Sequence, residues 1–145
     1  MKIQISSEFD KTLGGTSAKH DQSKSYGEEI MALMSFWTKI RDNSIVNNGI
    51  NIVVYDPDGT IFVGTEMTAS DAVRCGLTSK RITLSKYGYF KHVGPYSQLY
   101  QTCTNMSEEL SRMGHKPVQP IVEIYGHWTD DESKLETEVL HAFEE

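Results

Sequence analysis

The strongest constraint on this chain is an internal repeat. A shift of seventy positions lays Tyr26 on Tyr96, Ile30 on Tyr100, Leu33 on Cys103, Phe36 on Met106 and Ile40 on Leu110. The same shift lays "IVVY" (Ile52 to Tyr55) on "VEIY" (Val122 to Tyr125). With two more residues of offset, Lys19-His20 meets Lys91-His92, and Thr65-Glu66 meets Thr137-Glu138. Single matches of this kind carry little weight. Their common order carries more: strand, helix, strand, strand, and then the same again. No Gly/Pro/Ser-rich linker divides the halves, and 145 residues suit one well-buried domain. The expectation is one two-lobed domain over 1–145, with repeats of about 1–76 and 77–145.

The elements follow from periodicity. Tyr26, Ile30, Leu33, Trp37 and Ile40 alternate steps of four and three, which predicts a helix over Tyr26–Arg41. Ser25 is placed to cap it, with Glu28 three residues on. A second helix starts at "GPYSQL", with Pro95 suited to its first turn and Gly114 to its stop. Strands are expected at Lys2–Ser6, Thr12–His20, Asn51–Asp56, Ile61–Thr68, Arg81–Leu84, Tyr89–Val93, near Ile121–Tyr125 and at Leu135–Ala142. Ala69–Gly76 reads as a partly helical connector, and "DPDG" (Asp56 to Gly59) as a hairpin turn. Strands on both sides of each helix argue for an α+β fold: helices packed on an antiparallel sheet, with pseudo-twofold symmetry. An uncapped edge strand of such a sheet is available for pairing between chains.

Charge and composition narrow the function classes. The net charge is −6, and the most basic stretch, "SKRITLSK", reads as an exposed strand, so direct nucleic-acid binding is not expected. No helix-turn-helix segment remains once the elements are assigned. The opening "MKIQISSEFD" lacks the apolar core of a signal peptide, and no stretch approaches a membrane span. Cys75 and Cys103 read as free thiols in a reducing cytoplasm. The five histidines are scattered without ligand spacing, so neither a metal nor a cofactor is expected.

Three short motifs remain. His92, Gly94, Pro95 and Tyr96 lead into the second helix; Pro120, Glu123 and Tyr125 share a strand; Thr137 and Glu138 open the last strand. In this order they resemble the second half of the GyrI-like small-molecule-binding domain, also called the AraC-type effector-binding domain. The first half resembles it mainly through its helix with Phe36-Trp37. The resemblance implies two βαββ units with a ligand cleft between them. It also implies acidic residues at Glu123 and Glu138 forming an anionic wall for bulky aromatic cations. Members of this family accompany DNA-binding modules or stand alone, and include drug binders, a gyrase-inhibitory protein and hydrolases of reactive small molecules.

Glu123 is the residue that asks for an explanation. In "QPIVEIYGHW" it sits between the apolar pairs Ile121-Val122 and Ile124-Tyr125. Alternation sends Val122 and Ile124 to one face, expected to meet the helices, and leaves Glu123 and Tyr125 on the cleft wall. A carboxylate in an apolar cleft has a raised pKa unless a counter-charge arrives, and a cationic ligand supplies one. Tyr125, Tyr96, Trp37, Phe36 and Trp128 are the candidates for stacking and cation–π contact. Two plainer readings stand beside this: Glu123 on an edge strand facing water, or accepting hydrogen bonds from a buried tyrosine. Phe36 and Trp37 are adjacent and cannot share one direction. Trp37 most simply fills the core, with Phe36 toward the cleft, although the reverse assignment stands open. Tyr26 and Tyr96 can equally be packing residues. Glu66 reads as structural, and Val53 replaces the carboxylate at the position matching Glu123.

The leading functional expectation is a stand-alone binder of hydrophobic cationic small molecules, acting alone or with a separate transcription regulator or other protein. The alternatives are a hydrolase using Glu123 with Tyr125 or Tyr96, and a protein-binding inhibitor of the gyrase-inhibitory type. No Ser-His-Asp or Cys-His nucleophile arrangement is legible.

Overall fold

The computed structural model describes residues 1–144. Six strands, β1 (Gln4–Lys19), β2 (Ile52–Tyr55), β3 (Thr60–Glu66), β4 (Thr78–Val93), β5 (Lys116–Tyr125) and β6 (Glu136–Glu144), close in the order β1-β3-β2-β5-β6-β4. Every neighbouring pair is antiparallel. Four helices accompany them: α1 (Tyr26–Leu33), α2 (Phe36–Asp42), α3 (Ala69–Arg74) and α4 (Leu99–Arg112), the last preceded by a 3₁₀ turn at Tyr96–Gln98. The ring of strands reads the same when β1 is exchanged with β4, β2 with β5 and β3 with β6. That is the twofold relation expected from the repeat.

Closure corrects two expectations. The separate strands expected at Lys2–Ser6 and Thr12–His20 are one long β1, with Glu8 at φ 63° near its middle. Those at Arg81–Leu84 and Tyr89–Val93 are likewise one β4. The length of both strands lets β1 pair with β4 from Gln4↔Tyr89 to Gly15↔Thr78, which removes the free edge. Where β1 meets β3, Gly15 and Gly64 lie opposite each other. A Cβ on Gly15 would stand 2.1 Å from the Val63 carbonyl oxygen, so the approach needs glycine.

The two faces of the closed sheet build separate cores. Ile52, Val54, Phe62, Ile82, Leu84, Val122 and Leu140 fill the strand-only interior, with Ile124 packed against them. Val53, Ile61 and Val63 point outward and pack against Phe36, Ile40, Ala72 and Leu77 of the first-repeat helices and connector. Leu99 and Met106 of α4 pack on Val139 with Ile121 and Tyr125 at the margin. Each fully buried Val, Leu, Ile or Phe is worth about 1.5–3 kcal/mol. The exposed ion pairs, such as Lys19–Asp58 at 3.5 Å, are worth about 0–1, so packing dominates the stability. The β5 alternation is as expected but its sides are not: Val122 and Ile124 face the barrel interior, whereas Ile121, Glu123 and Tyr125 lie on the helix side. The sheet curls away from its helices, so the apolar face that needs no helix is the inner one.

The helix expected over Tyr26–Arg41 is two. Ser25 caps α1 as expected, its hydroxyl accepting from the Glu28 N–H at 3.1 Å. The Thr16 hydroxyl donates to the Leu33 carbonyl at 2.6 Å, and the Trp37 N–H turns to Met34 instead. A side chain inserted into the ladder breaks the helix there. The Asp56–Gly59 turn closes the β2–β3 hairpin, with Gly59 at φ 85°. Gly114, at φ 89°, ends α4.

Candidate functional site

The β2–β5 ladder is where the repeats meet, and its register defines the site. Ile52 pairs with Ile124, Val53 with Glu123, Val54 with Val122 and Tyr55 with Ile121. Val53 and Glu123 are themselves related by the seventy-position shift, so the pseudo-twofold axis passes between them. Beyond β2 and β5 the ladder revises the repeat. Val63 and Val139 are the residues opposite Val53 and Glu123, which makes His141, and not Thr137, the counterpart of Thr65. Thr16 and Phe90 lie opposite Val63 and Val139 in turn, so neither the Thr-Glu nor the Lys-His match marks equivalent positions.

Above this ladder, on the outer face, α1 and α4 leave a cleft of about 1060 Å³. Tyr55, Ile121, Glu123 and Tyr125 form its floor; Tyr26, Ile30, Met31 and Met34 line one side, and Tyr96, Leu99, Tyr100, Cys103 and Glu108 the other. Trp128 stands at the rim, 74% exposed. Among the described residues, the acidic side chains lining the cleft are Glu108 and Glu123, His141 is its one imidazole, and no Lys or Arg lines it.

Glu123 is 3% exposed, and protein donors surround it. Tyr55 Oη donates to its Oε1 at 3.0 Å and Tyr125 Oη to the same oxygen at 2.8 Å. The Cys103 thiol points at Oε2 from 3.8 Å. These two tyrosines are repeat counterparts, and each carries a second tyrosine edge-on. Tyr26 meets Tyr55 at 5.5 Å between ring centroids, and Tyr96 meets Tyr125 at 5.0 Å. A single carboxylate is thus held on the axis of a twofold set of four tyrosines. On one side His20 stacks flat on Tyr26 at 4.2 Å and pairs with the buried Glu29.

Burial governs the titration here. It raises the pKa of Glu123 above the usual carboxylate range, against the opposing hydrogen bonds of Tyr125, Tyr55 and Cys103. Burial and the Glu123 carboxylate push the Cys103 thiol up to about 12. Tyr55 and Tyr125 are raised far above the ordinary phenol value by burial first and Glu123 second.

The chain is similar to solved structures over nearly its whole length. The EcmrR C-terminal domain matches with a TM-score of 0.73 at 12% identity, covering 100% of this chain and 99% of that one. SAV2435 bound to tetraphenylphosphonium matches with a TM-score of 0.64 at 18% identity, covering 99% and 94%. A hydrolase from Listeria innocua matches with a TM-score of 0.64 at 12% identity, covering 98% and 91%. The likeness establishes the fold. No protein-family model and no curated protein matches the sequence.

Of the residues singled out from the sequence, Glu123, Tyr125, Tyr96 and Trp128 come together in the cleft. Phe36 does not: it is fully buried in the first-repeat core. Trp37 packs against that core, tilted over Phe36 at 4.8 Å, and donates from Nε1 to Asn51 Oδ1 at 2.6 Å. The break after α1 turns Phe36 into the core and leaves Trp37 half-buried behind Asn51, itself a cleft residue. Glu138 is also elsewhere. It pairs with Ile124, on the barrel-interior face, and accepts from Tyr89 Oη at 2.9 Å. The period of two places it opposite in sense to Val139 and Glu123, so it forms no joint wall with Glu123.

Tyr55 was the residue that sequence reasoning missed. The signal was available, since it is the repeat counterpart of Tyr125. Tyr26, open like Tyr96 to a packing role from the sequence, lines the cleft opposite it. Glu123 both lines the cleft and accepts hydrogen bonds from Tyr55 and Tyr125. No group of three or more His, Cys, Asp or Glu among the described residues is arranged to hold a metal, and no helix is long and apolar enough to cross a membrane.

Proposed function

We propose that this protein binds hydrophobic, aromatic, cationic small molecules in the cleft between its repeats, as a stand-alone binder. One observation carries the reading: a buried carboxyl group with no Lys or Arg beside it lies on the floor of an aromatic cleft whose other acidic lining residue, among those described, is Glu108. The volume of about 1060 Å³ suits a drug-sized ligand. Tyrosine faces around such a ligand contribute cation–π attraction of about 0.5–2 kcal/mol each where water is excluded. The tetraphenylphosphonium bound by SAV2435, a protein of the same fold, supports a ligand of this chemistry. EcmrR, whose C-terminal domain shares the fold, is solved in complex with DNA, which supports a link between such a cleft and a DNA-binding regulator.

Thermal-shift measurements with aromatic cations, neutral analogues of the same shape and aromatic anions test the reading. A ligand at a hundred times its Kd adds about 2.7 kcal/mol. Shifts by cations alone support it, and equal shifts by all three classes contradict it.

A second reading, hydrolysis, is favoured by the burial of Glu123 on the cleft floor, which raises its pKa in the direction a general acid needs, against the opposing hydrogen bonds of Tyr55 and Tyr125. Turnover separates the two: a binder saturates, whereas a hydrolase consumes what it binds.

A further inference from the structure

The floor of the cleft holds a carboxyl group that no neighbour neutralises. Across the ladder from Glu123 stands Val53 on β2, and beside it on β6 stands Val139. The titratable groups facing it are Tyr55 from β2, Tyr125 from β5, Cys103 from α4, Tyr96 before α4, His92 from β4 and His141 from β6, and Tyr26 of α1 and the exposed Glu108 of α4 line the same cleft. The Tyr55 and Tyr125 hydroxyls and the Cys103 thiol are neutral donors to it, and burial pushes their ionisation upward, as it does that of Tyr96. Burial moves His141 the other way, toward its neutral form, and its Nδ1 bonds the Ala142 carbonyl at 2.9 Å. His92 spends both ring nitrogens elsewhere, Nδ1 on Thr102 Oγ1 at 2.8 Å and Nε2 on the Pro95 carbonyl at 3.1 Å. Its field is the least of the influences on Glu123.

The two carboxyl oxygens are not alike. Both tyrosine hydroxyls donate to Oε1, so that oxygen is committed to the protein. Only the weak Cys103 donor, at 3.8 Å, approaches Oε2. Oε2 is the oxygen left for a proton or for a ligand.

We propose that the cleft exchanges a proton for its ligand: Glu123 is a neutral acid in the empty cleft, and a hydrophobic cation entering beside Oε2 displaces the Oε2 proton to solvent. This deepens the cation-binding reading and rests on it. One positive charge enters and one leaves, so the buried site never holds a net charge, which is the state that burial penalises most. The upward displacement of the Glu123 pKa agrees with a protonated resting state. Affinity for cations then rises roughly tenfold per pH unit until the empty cleft ionises by itself, and is flat above that point. Neutral aromatic ligands show no such dependence.

The test is a calorimetric titration of the full chain with tetraphenylphosphonium at mildly acidic pH, in two buffers of different ionisation enthalpy. The expected result is release of about one proton per cation bound, with none on binding neutral triphenylphosphine oxide. An infrared difference spectrum of the unmodified protein gives an independent readout, because the carboxylic C=O band is lost as the cation binds. In Glu123→Gln, residual binding releases no proton. Cation binding without proton release, and without loss of that band, overturns the exchange and leaves the cation reading standing. Failure of the unmodified protein to bind any aromatic cation overturns that reading, and the exchange with it.

Discussion

Val53 stands directly opposite Glu123 in the β2–β5 ladder, and the two are counterparts in the repeat. The duplicated frame therefore offers one position twice at its axis and fills it once with a carboxylate and once with a methyl-bearing side chain. Opposed residues in a ladder have Cβ atoms about 4.5–5.5 Å apart. Two carboxylates there cannot both ionise without strong repulsion. Val53→Glu should lower stability at neutral pH by about 2–4 kcal/mol. The exchange Val53→Glu with Glu123→Val restores a single carboxylate on the axis, within reach of the same tyrosine pair. Urea unfolding should show the double variant more stable than Val53→Glu alone. Equal or lower stability would contradict the equivalence of the two positions.

The tyrosine pair allows a sharper comparison. Tyr55→Phe and Tyr125→Phe each remove one donor to the same carboxyl oxygen and little else. Each should cost about 0.5–1.5 kcal/mol of stability. Each should also raise the pH at which Glu123 ionises, because a hydrogen bond that favours the charged form is gone. Carboxyl NMR of Glu123 across a pH series measures this, and a shift in only one variant would show that the twofold frame is not matched in energy.

The sign of the pH effect on stability follows from the same group. Glu123 has a higher pKa folded than unfolded, so the folded state holds the proton more tightly. Its favourable contribution is complete below the ordinary glutamate value and is lost as pH rises through the raised one. The ligand-free protein should therefore lose stability across that window, and Glu123→Gln should not. At this chain length each ~1 kcal/mol corresponds to about 4 °C in Tm, which a thermal scan resolves.

Core and rim should separate cleanly. Phe36 is fully buried, and Phe36→Ala should cost about 3–5 kcal/mol in urea unfolding. Trp128 is 74% exposed, and Trp128→Ala should leave the urea midpoint nearly unchanged. It should still weaken aromatic cations by about 0.5–1 kcal/mol through lost ring contact at the cleft mouth.

Much of this arrangement is legible in the sequence because it rests on periodicity. The seventy-position shift that aligns Tyr55 with Tyr125 also places Val53 against Glu123, and alternation along "VEIY" puts Glu123 and Tyr125 on one face. What was not legible depends on contacts between distant segments. The Thr16 hydroxyl that breaks the first helix lies on β1, and nothing in the local pattern of Tyr26–Arg41 announces it. Closure of the sheet depends on β1 and β4 pairing along their lengths, and it decides which face of β5 meets the helices. Glu138 was grouped with Glu123 through a resemblance, and the β5–β6 register separates them.

The most direct test is a titration of tetraphenylphosphonium into the unmodified protein, Glu123→Gln and Glu138→Gln at neutral pH, followed by calorimetry. The cleft account predicts saturable one-to-one binding, weakened roughly tenfold or more, about 1.4 kcal/mol, in Glu123→Gln and unchanged in Glu138→Gln. Equal affinity in the unmodified protein and Glu123→Gln would contradict it.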